Sequence, residues 1–172
     1  MLVIGSGHAG IEAALAAARL GATTVLVTLS RERIGEMSCN PAIGGLAKGQ
    51  LVREIDALGG EMAKAIDAAG IQFRILNTAK GPAVQAPRAQ ADKKAYRGYM
   101  RRVLETTPGL TVVEDTVLAL RPGPEDFQVQ GTRGAYAARK VVATVGTFLN
   151  GLMHVGMKQS PGGRWGDPPS TE

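Results

Sequence analysis

The first apolar run, Leu2 to Ile4, is short and partly β-branched, the pattern of a strand buried in a parallel sheet. Gly5, Gly7 and Gly10 follow as G-x-G-x-x-G, and then Ile11, Ala14, Leu15 and Ala18 recur at helical spacing up to Gly21, a natural stop. Residues 23–28 are again strand-like. Residues 31–45 lack periodicity and are rich in turn formers. Two helices are predicted next, one with an apolar face of Leu51, Ile55 and Leu58 and one with Met62 and Ile66, separated at Gly59-Gly60. Residues 70–77 read as a strand alternating Ile71, Phe73 and Ile75, residues 78–90 as a loop, and residues 92–105 as a helix. Residues 111–120 are strand-like, residues 121–126 turn into a strand at 127–131, and residues 136–146 read as one long strand ending in glycine. From about residue 148 the tail is loop-rich. These elements predict an α/β chain: a Rossmann-like domain with a parallel sheet and an added β-hairpin or meander.

The glycine motif lies where its physics requires, after a strand and at the start of a helix. Gly5 permits the tight turn, Gly7 lets backbone approach a pyrophosphate, and Gly10 lets helix and strand pack closely. Residues 5–10, which are Gly5, Ser6, Gly7, His8, Ala9 and Gly10, are therefore the candidate dinucleotide cradle. The acidic residue that usually closes the second strand and takes a ribose hydroxyl is missing, because that strand ends Thr28, Leu29, Ser30. Ribose contact is expected from a hydroxyl or from backbone.

Composition narrows the picture. The 172 residues suit one domain, and the 44% hydrophobic content with only 4% aromatics leaves Ala, Val, Leu and Ile to build the core. The formal charge of +5 favours anionic partners. On the helix at 92–105, Lys93, Arg97 and Arg101 share a face; an RNA backbone and bulk solvent are both readings of it. A single cysteine, Cys39, excludes an intramolecular disulfide and a self-contained dithiol cycle, and fits a reducing, cytoplasmic setting. No apolar run reaches the ~20 residues of a membrane span. Both ends look cut, so the chain is expected to be the front part of something longer.

Cys39 sits in "MSCNPAIGG", a turn-rich stretch after the second strand, on the side of the sheet where this kind of fold binds cofactor. Asn40-Pro41 disfavours helix, and Lys48 downstream offers positive charge. A reactive thiolate and a buried packing thiol are both open from the residues alone.

The blocks "GSGHAGIEAALAAARLG", "MSCNPAIGGLAKGQLVREIDALGGEMAKAIDAAGIQFRILNTAKGPAV", "RAQADKKAYR", "TVGTFLNG" and "GGRWGDPPS" occur in this order over nearly the whole chain. In them the chain resembles the N-terminal part of the glucose-inhibited division protein A family. That family is the FAD-dependent large subunit of the enzyme installing carboxymethylaminomethyl or aminomethyl groups on C5 of the tRNA wobble uridine, position 34. A relative, the folate-dependent tRNA uridine methyltransferase, shares the fold but fits "SCNPAIGG" less well. The resemblance implies an FAD-binding domain over residues 1–172, with the pyrophosphate over residues 5–10 and further FAD contacts at Val117 and Ser170. It implies Cys39 as a catalytic residue, NADH as reductant, methylenetetrahydrofolate as one-carbon donor, a GTPase partner subunit and a homodimer. Ser6 stands where glycine is more usual, Gln85 and Pro87 where more basic or hydroxyl character is expected, and Trp165 where a small residue is expected. The family protein is several times longer, so this chain is expected to carry the FAD-binding part without modifying tRNA by itself. A small independent FAD-dependent oxidoreductase and a non-catalytic nucleotide-binding module are the alternatives.

Overall fold

The structure, a computed structural model, describes residues 1–37, 40–146 and 148–163. Four parallel strands form the central sheet: β1 (Leu2–Ile4), β2 (Thr24–Thr28), β6 (Leu110–Glu114) and β10 (Val141–Ala143), in the order β10-β1-β2-β6. Between β1 and β2 runs α1 (His8–Arg19), which buries Gly10, Ile11, Ala14, Leu15, Ala17 and Ala18. Its small side chains let it lie close to the sheet. It ends in a Schellman motif: the Gly21 N–H donates to Ala18 and the Ala22 N–H to Ala17, with Gly21 at φ +83°.

Between β2 and β6 the chain builds a second layer. A 3-10 turn, Arg31–Arg33, precedes β3 (Ala42–Gly44), α2 (Lys48–Ala57), α3 (Met62–Ala69), β4 (Gly70–Leu76), a 3-10 turn at Pro82–Val84, β5 (Ala86–Ala91) and α4 (Lys93–Thr106). Strands β3, β5 and β4 form an antiparallel sheet with β5 in the middle. Helix α4 is capped by Asp92, whose carboxylate accepts from the Lys94 and Ala95 N–H groups at 2.8 and 3.0 Å. Tyr96, Met100 and Leu104, at helical spacing on α4, are fully buried, and each contributes about 2 kcal/mol by leaving water. Arg19 and Tyr99 both bind the Glu61 carboxylate, and Glu12 accepts from the Glu61 and Met62 N–H groups, tying α3 to α1 and α4.

Between β6 and β10 stands an antiparallel meander of β7 (Val117–Pro122), β8 (Phe127–Gly131) and β9 (Ala135–Ala138), and a hairpin of β11 (Leu152–Val155) and β12 (Lys158–Pro161) follows.

Several expectations change. Residues 78–90 are not all loop: β5 occupies the last part and is the centre of its sheet. Pro87 is tolerated there because its carbonyl points to the β3 side, where it meets Gly45 just past the end of β3, so the missing N–H falls where no partner strand runs. The stripe of α2 that packs inward is Gly49 and Val52; Leu51 is 56% and Leu58 90% exposed. The helix turns its glycine to β5 because a Cβ at Gly49 would lie 2.8 Å from the Pro87 oxygen. Ile71, Phe73 and Ile75 do lie in a strand, but at the edge of its sheet, and all three are exposed. The segments 111–120 and 136–146 each split in two, as the chain passes between the parallel sheet and the meander. Within the described part of the tail, the chain forms the β11–β12 hairpin rather than loop.

Candidate functional site

The four parallel strands end on one edge, and their ends are bound to one another. After β1, the Gly5 N–H donates to Val27 at 2.8 Å, and the Ser6 hydroxyl lies 2.6 Å from that of Thr28, the last residue of β2. The Thr28 carbonyl accepts from the Asp115 N–H, one residue past β6. Thr144, one residue past β10, donates its N–H to Ile4 at 2.8 Å and its hydroxyl to the same carbonyl at 2.7 Å, with Gly5 at 3.2 Å. Strand order reverses between β10 and β1, and a sheet of this kind binds ligands in the crevice outside its carboxyl ends at such a point.

The glycine turn fits a pyrophosphate. Gly5 has φ +98°, and a Cβ there would lie 2.5 Å from the Thr144 carbonyl oxygen. A Cβ on Gly10 would lie 1.8 Å from the Gly5 oxygen, so helix and turn touch through backbone. At Gly7, in contrast, a Cβ would meet no described atom within 4 Å. Gly7 has extended backbone, caps α1 without a side chain, and is exposed. It immediately precedes the first turn of α1, whose N–H groups have no intrahelical acceptor. Open space in front of a helix N-terminus is an anion site.

His8, the first residue of α1, leans back into the protein. Its ring meets that of Tyr96 edge to face at 5.8 Å and 89°, and Nδ1 is buried with no hydrogen-bond partner among the described residues. Burial, reinforced by the positive charge of Lys48, lowers the His8 pKa from 6.5 to about 4, so the imidazole is neutral at pH 7. Burial also pushes the Tyr96 phenol up. Lys48 opens α2 just past a γ-turn, in which its N–H donates to Leu46 at 2.7 Å and Ala47 takes φ 61° and ψ −50°. Alanine is strained there, and strain of this kind clusters at functional segments. The turn aims the Lys48 ammonium at the Ala42 carbonyl, 3.4 Å away.

Of the residues singled out in the sequence, Gly5, Ser6, Gly7, His8, Ala9 and Gly10 are brought together at this edge. Ala9 is exposed on the first turn of α1, while the Ser6 side chain is buried against Thr28. Val117 begins β7, two residues past Asp115, and packs with the cluster of Leu2, Val27 and Val129. Cys39, Ser170 and Trp165 lie outside the described residues. Sequence reasoning missed Thr144 and Asp115. Thr144 was visible as a hydroxyl at the end of a β-branched run. Asp115 gave no local signal: buried, it accepts from the Thr116 and Arg133 N–H groups and from the hydroxyls of Thr132 and Tyr136, at 2.6 to 3.0 Å. These bonds, led by that of Tyr136, hold its pKa well below the usual carboxylate range. Among the described residues no group of His, Cys, Asp or Glu is placed to hold a metal ion, and no helix is long and apolar enough to cross a membrane.

The family model described as "Glucose inhibited division protein A" matches residues 1–172. The tRNA uridine 5-carboxymethylaminomethyl modification enzyme MnmG of Sulfurihydrogenibium sp. is 57% identical over 176 aligned positions, covering 100% of this chain and 28% of that protein. A crystal structure of GidA from Aquifex aeolicus superposes with a TM-score of 0.89 at 57% identity, over 98% of this chain and 28% of the other. The GidA-related protein from Thermus thermophilus shares the fold, with a TM-score of 0.66 at 20% identity over 98% of this chain and 63% of that one. The chain thus spans 28% of the length of the first two relatives.

Proposed function

The chain belongs to the glucose inhibited division protein A family, and on that premise we propose that it is the FAD-binding part of an enzyme that modifies C5 of the wobble uridine of tRNA. The observation that carries the proposal is the glycine turn, open at Gly7 and closed at Gly10, in front of the N-terminus of α1.

Residues 5–10 would hold the FAD pyrophosphate through backbone N–H groups and the positive end of the helix dipole. Thr144 fixes the turn by binding the carbonyls of Ile4 and Gly5. The neutral His8 adds no charge to the first turn and anchors it to α4 through Tyr96. Val117 and Ser170 are the further proposed FAD contacts. When bound, FAD supplies two-electron redox chemistry. Cys39 is proposed as the nucleophile that adds to C6 of the uracil, which makes C5 an enolate carbon, or that captures the one-carbon unit. In this reading the complete enzyme takes NADH as reductant and methylenetetrahydrofolate as carbon donor, works with a GTPase subunit as a homodimer, and resides in the cytoplasm.

Titration of the purified chain with FAD, read by flavin fluorescence and by protein melting, tests the proposal. Saturable FAD binding that is lost when Gly7 is replaced by a bulky residue is expected. A preference for NAD with no response to FAD would replace it with a nicotinamide-binding module. Incubation with tRNA, folate donor, glycine, GTP and the GTPase subunit, followed by nucleoside mass spectrometry, should give no modified wobble uridine from this chain alone.

A further inference from the structure

The antiparallel sheet β3-β5-β4 turns one face toward α2 and α3, where Ile43 and Ala89 are buried with Ile66. Directly opposed residues of neighbouring strands share a face. On the other face the register sets Arg74 opposite Arg88 and Gln72 opposite Gln90, with Ala42 and Gly44 of β3 beside Gln90 and Arg88. Gln72, Arg74 and Gln90 are exposed and Arg88 is half-buried. This face therefore carries two guanidinium groups and two carboxamides next to nearly bare backbone. Like charges directly opposite one another destabilise a sheet. Among the described residues neither Arg74 nor Arg88 has a carboxylate partner, whereas Arg19, Arg97 and Arg133 are paired with Glu61, Glu36 and Glu114. An anion that bridges the two arginines would remove the repulsion.

We propose that this face of the β3-β5-β4 sheet is a docking surface for the phosphodiester backbone of RNA, with Arg74 and Arg88 on phosphates and Gln72 and Gln90 hydrogen-bonding to sugars or base edges beside them. The inference rests on the reading of the chain as part of a tRNA-modifying enzyme. The planar guanidinium fork takes a phosphate bidentately. At Ala86 this face is buried, but from Arg88 and Gln90 out to Arg74 and Gln72 it opens and ends at the edge strand β4, which suits a chain of phosphates laid across it better than a mononucleotide. The formal charge of +5 favours such a polyanion. The other basic surface, on α4, is partly spent within the protein: Arg97 binds Glu36 at 2.7 Å and Arg102 lies over the Tyr99 ring at 5.9 Å.

The test is fluorescence anisotropy of labelled, unfractionated tRNA with the chain, its R74Q/R88Q variant and an R101Q/R102Q control, at several salt concentrations, with an FAD titration of each. R74Q/R88Q should bind tRNA about tenfold more weakly or worse, and its slope of log K against log salt should be shallower by about 1.5 to 2, the signature of two lost phosphate contacts. Its melting temperature should hold or rise, since a repulsive pair is gone, and its FAD binding should be unchanged. The control should bind like the parent. Unchanged tRNA binding by R74Q/R88Q overturns the proposal. So does a parent chain that binds FAD but no tRNA, which leaves the flavin reading standing. So does displacement of tRNA by polyglutamate as effectively as by an oligoribonucleotide, which makes the face a general anion surface. A parent that binds neither FAD nor tRNA removes the functional reading and this surface with it.

Discussion

Protonating His8 should destabilise the fold. In the unfolded chain an imidazole charges near the ordinary 6.5; in the folded protein burial and Lys48 lower that value to about 4. At about 1.4 kcal/mol per pH unit, charging His8 is about 3 kcal/mol less favourable in the folded state than in the unfolded one. The unfolded chain binds more protons between the two values, so stability rises with pH there. His8 therefore costs no stability above about pH 6.5, and its penalty grows steadily as pH falls toward 4. Glu61 and Asp115 have depressed values and weaken the fold in acid too, but only as pH falls below the ordinary carboxylate range. The window from about pH 6.5 to 4.5 isolates His8, and about 2 to 3 kcal/mol should be lost across it. Urea unfolding followed by circular dichroism reads this as a fall in midpoint of about 1 M, for a denaturant slope of about 2 kcal/mol per M. The H8Q variant cannot charge, and its midpoint should stay nearly level through the same window. Equal pH dependence of the two proteins, or a His8 ring proton titrating by NMR near 6.5, would refute the reasoning.

Four further outcomes are expected. G7A should change stability by less than about 0.5 kcal/mol yet weaken FAD binding, whereas G10A, whose Cβ would sit 1.8 Å from the Gly5 oxygen, should lose about 3 kcal/mol or fail to fold; melting and flavin titration separate them. A47G should gain about 1 kcal/mol in urea unfolding by relieving the γ-turn at φ 61°. T144V should lose about 1 kcal/mol and bind FAD more weakly, because the valine cannot donate to Ile4 and Gly5. Cys39 should react with a thiol reagent near neutral pH and be slowed by FAD, and C39S in a full-length relative should keep FAD and lose modification; a thiol silent until denaturation makes Cys39 a packing residue.

The sequence was readable where local rules decide. Helix α1 follows from the glycine turn, the apolar spacing and the stop at Gly21, and the helix expected over residues 92–105 is α4. It was unreadable where distant partners decide. Residues 111–120 are apolar enough to pass for one strand, yet the chain breaks at Asp115 because Thr132, Arg133 and Tyr136, 17 to 21 residues on, donate to its carboxylate. The inward face of α2 was misread because its closest contact is made by a glycine, which apolar spacing does not register. The alternation of Ile71, Phe73 and Ile75 correctly implies a strand, but periodicity says nothing about whether a face is covered.

The same division between local and distant causes explains the site. At residues 5–10 the positive φ of Gly5 and the contact between Gly10 and the Gly5 carbonyl are local, so the spacing pointed to the turn, while Thr144, 139 residues on, closes it from outside the motif. The absent acidic residue at the end of β2 looked like a gap in the motif. Thr28 is only 4% exposed, its hydroxyl donates to the Ser30 carbonyl at 3.2 Å, and it lies 2.6 Å from the Ser6 hydroxyl. A carboxylate at that position would be taken out of water against the Ser6 hydroxyl, and burying a charge costs far more than burying a hydroxyl pair. Serine in place of the more usual glycine and threonine in place of an acid are thus one coupled choice: two hydroxyls satisfy each other and tie the ends of β1 and β2 together. Thr28 is then committed to the fold, so under the proposed FAD reading the ribose hydroxyl is expected to meet backbone or another side chain at this edge. T28D should accordingly melt well below the parent, and its FAD affinity should not improve. A T28D chain that keeps its stability and tightens its hold on FAD would show instead that position 28 faces the ribose.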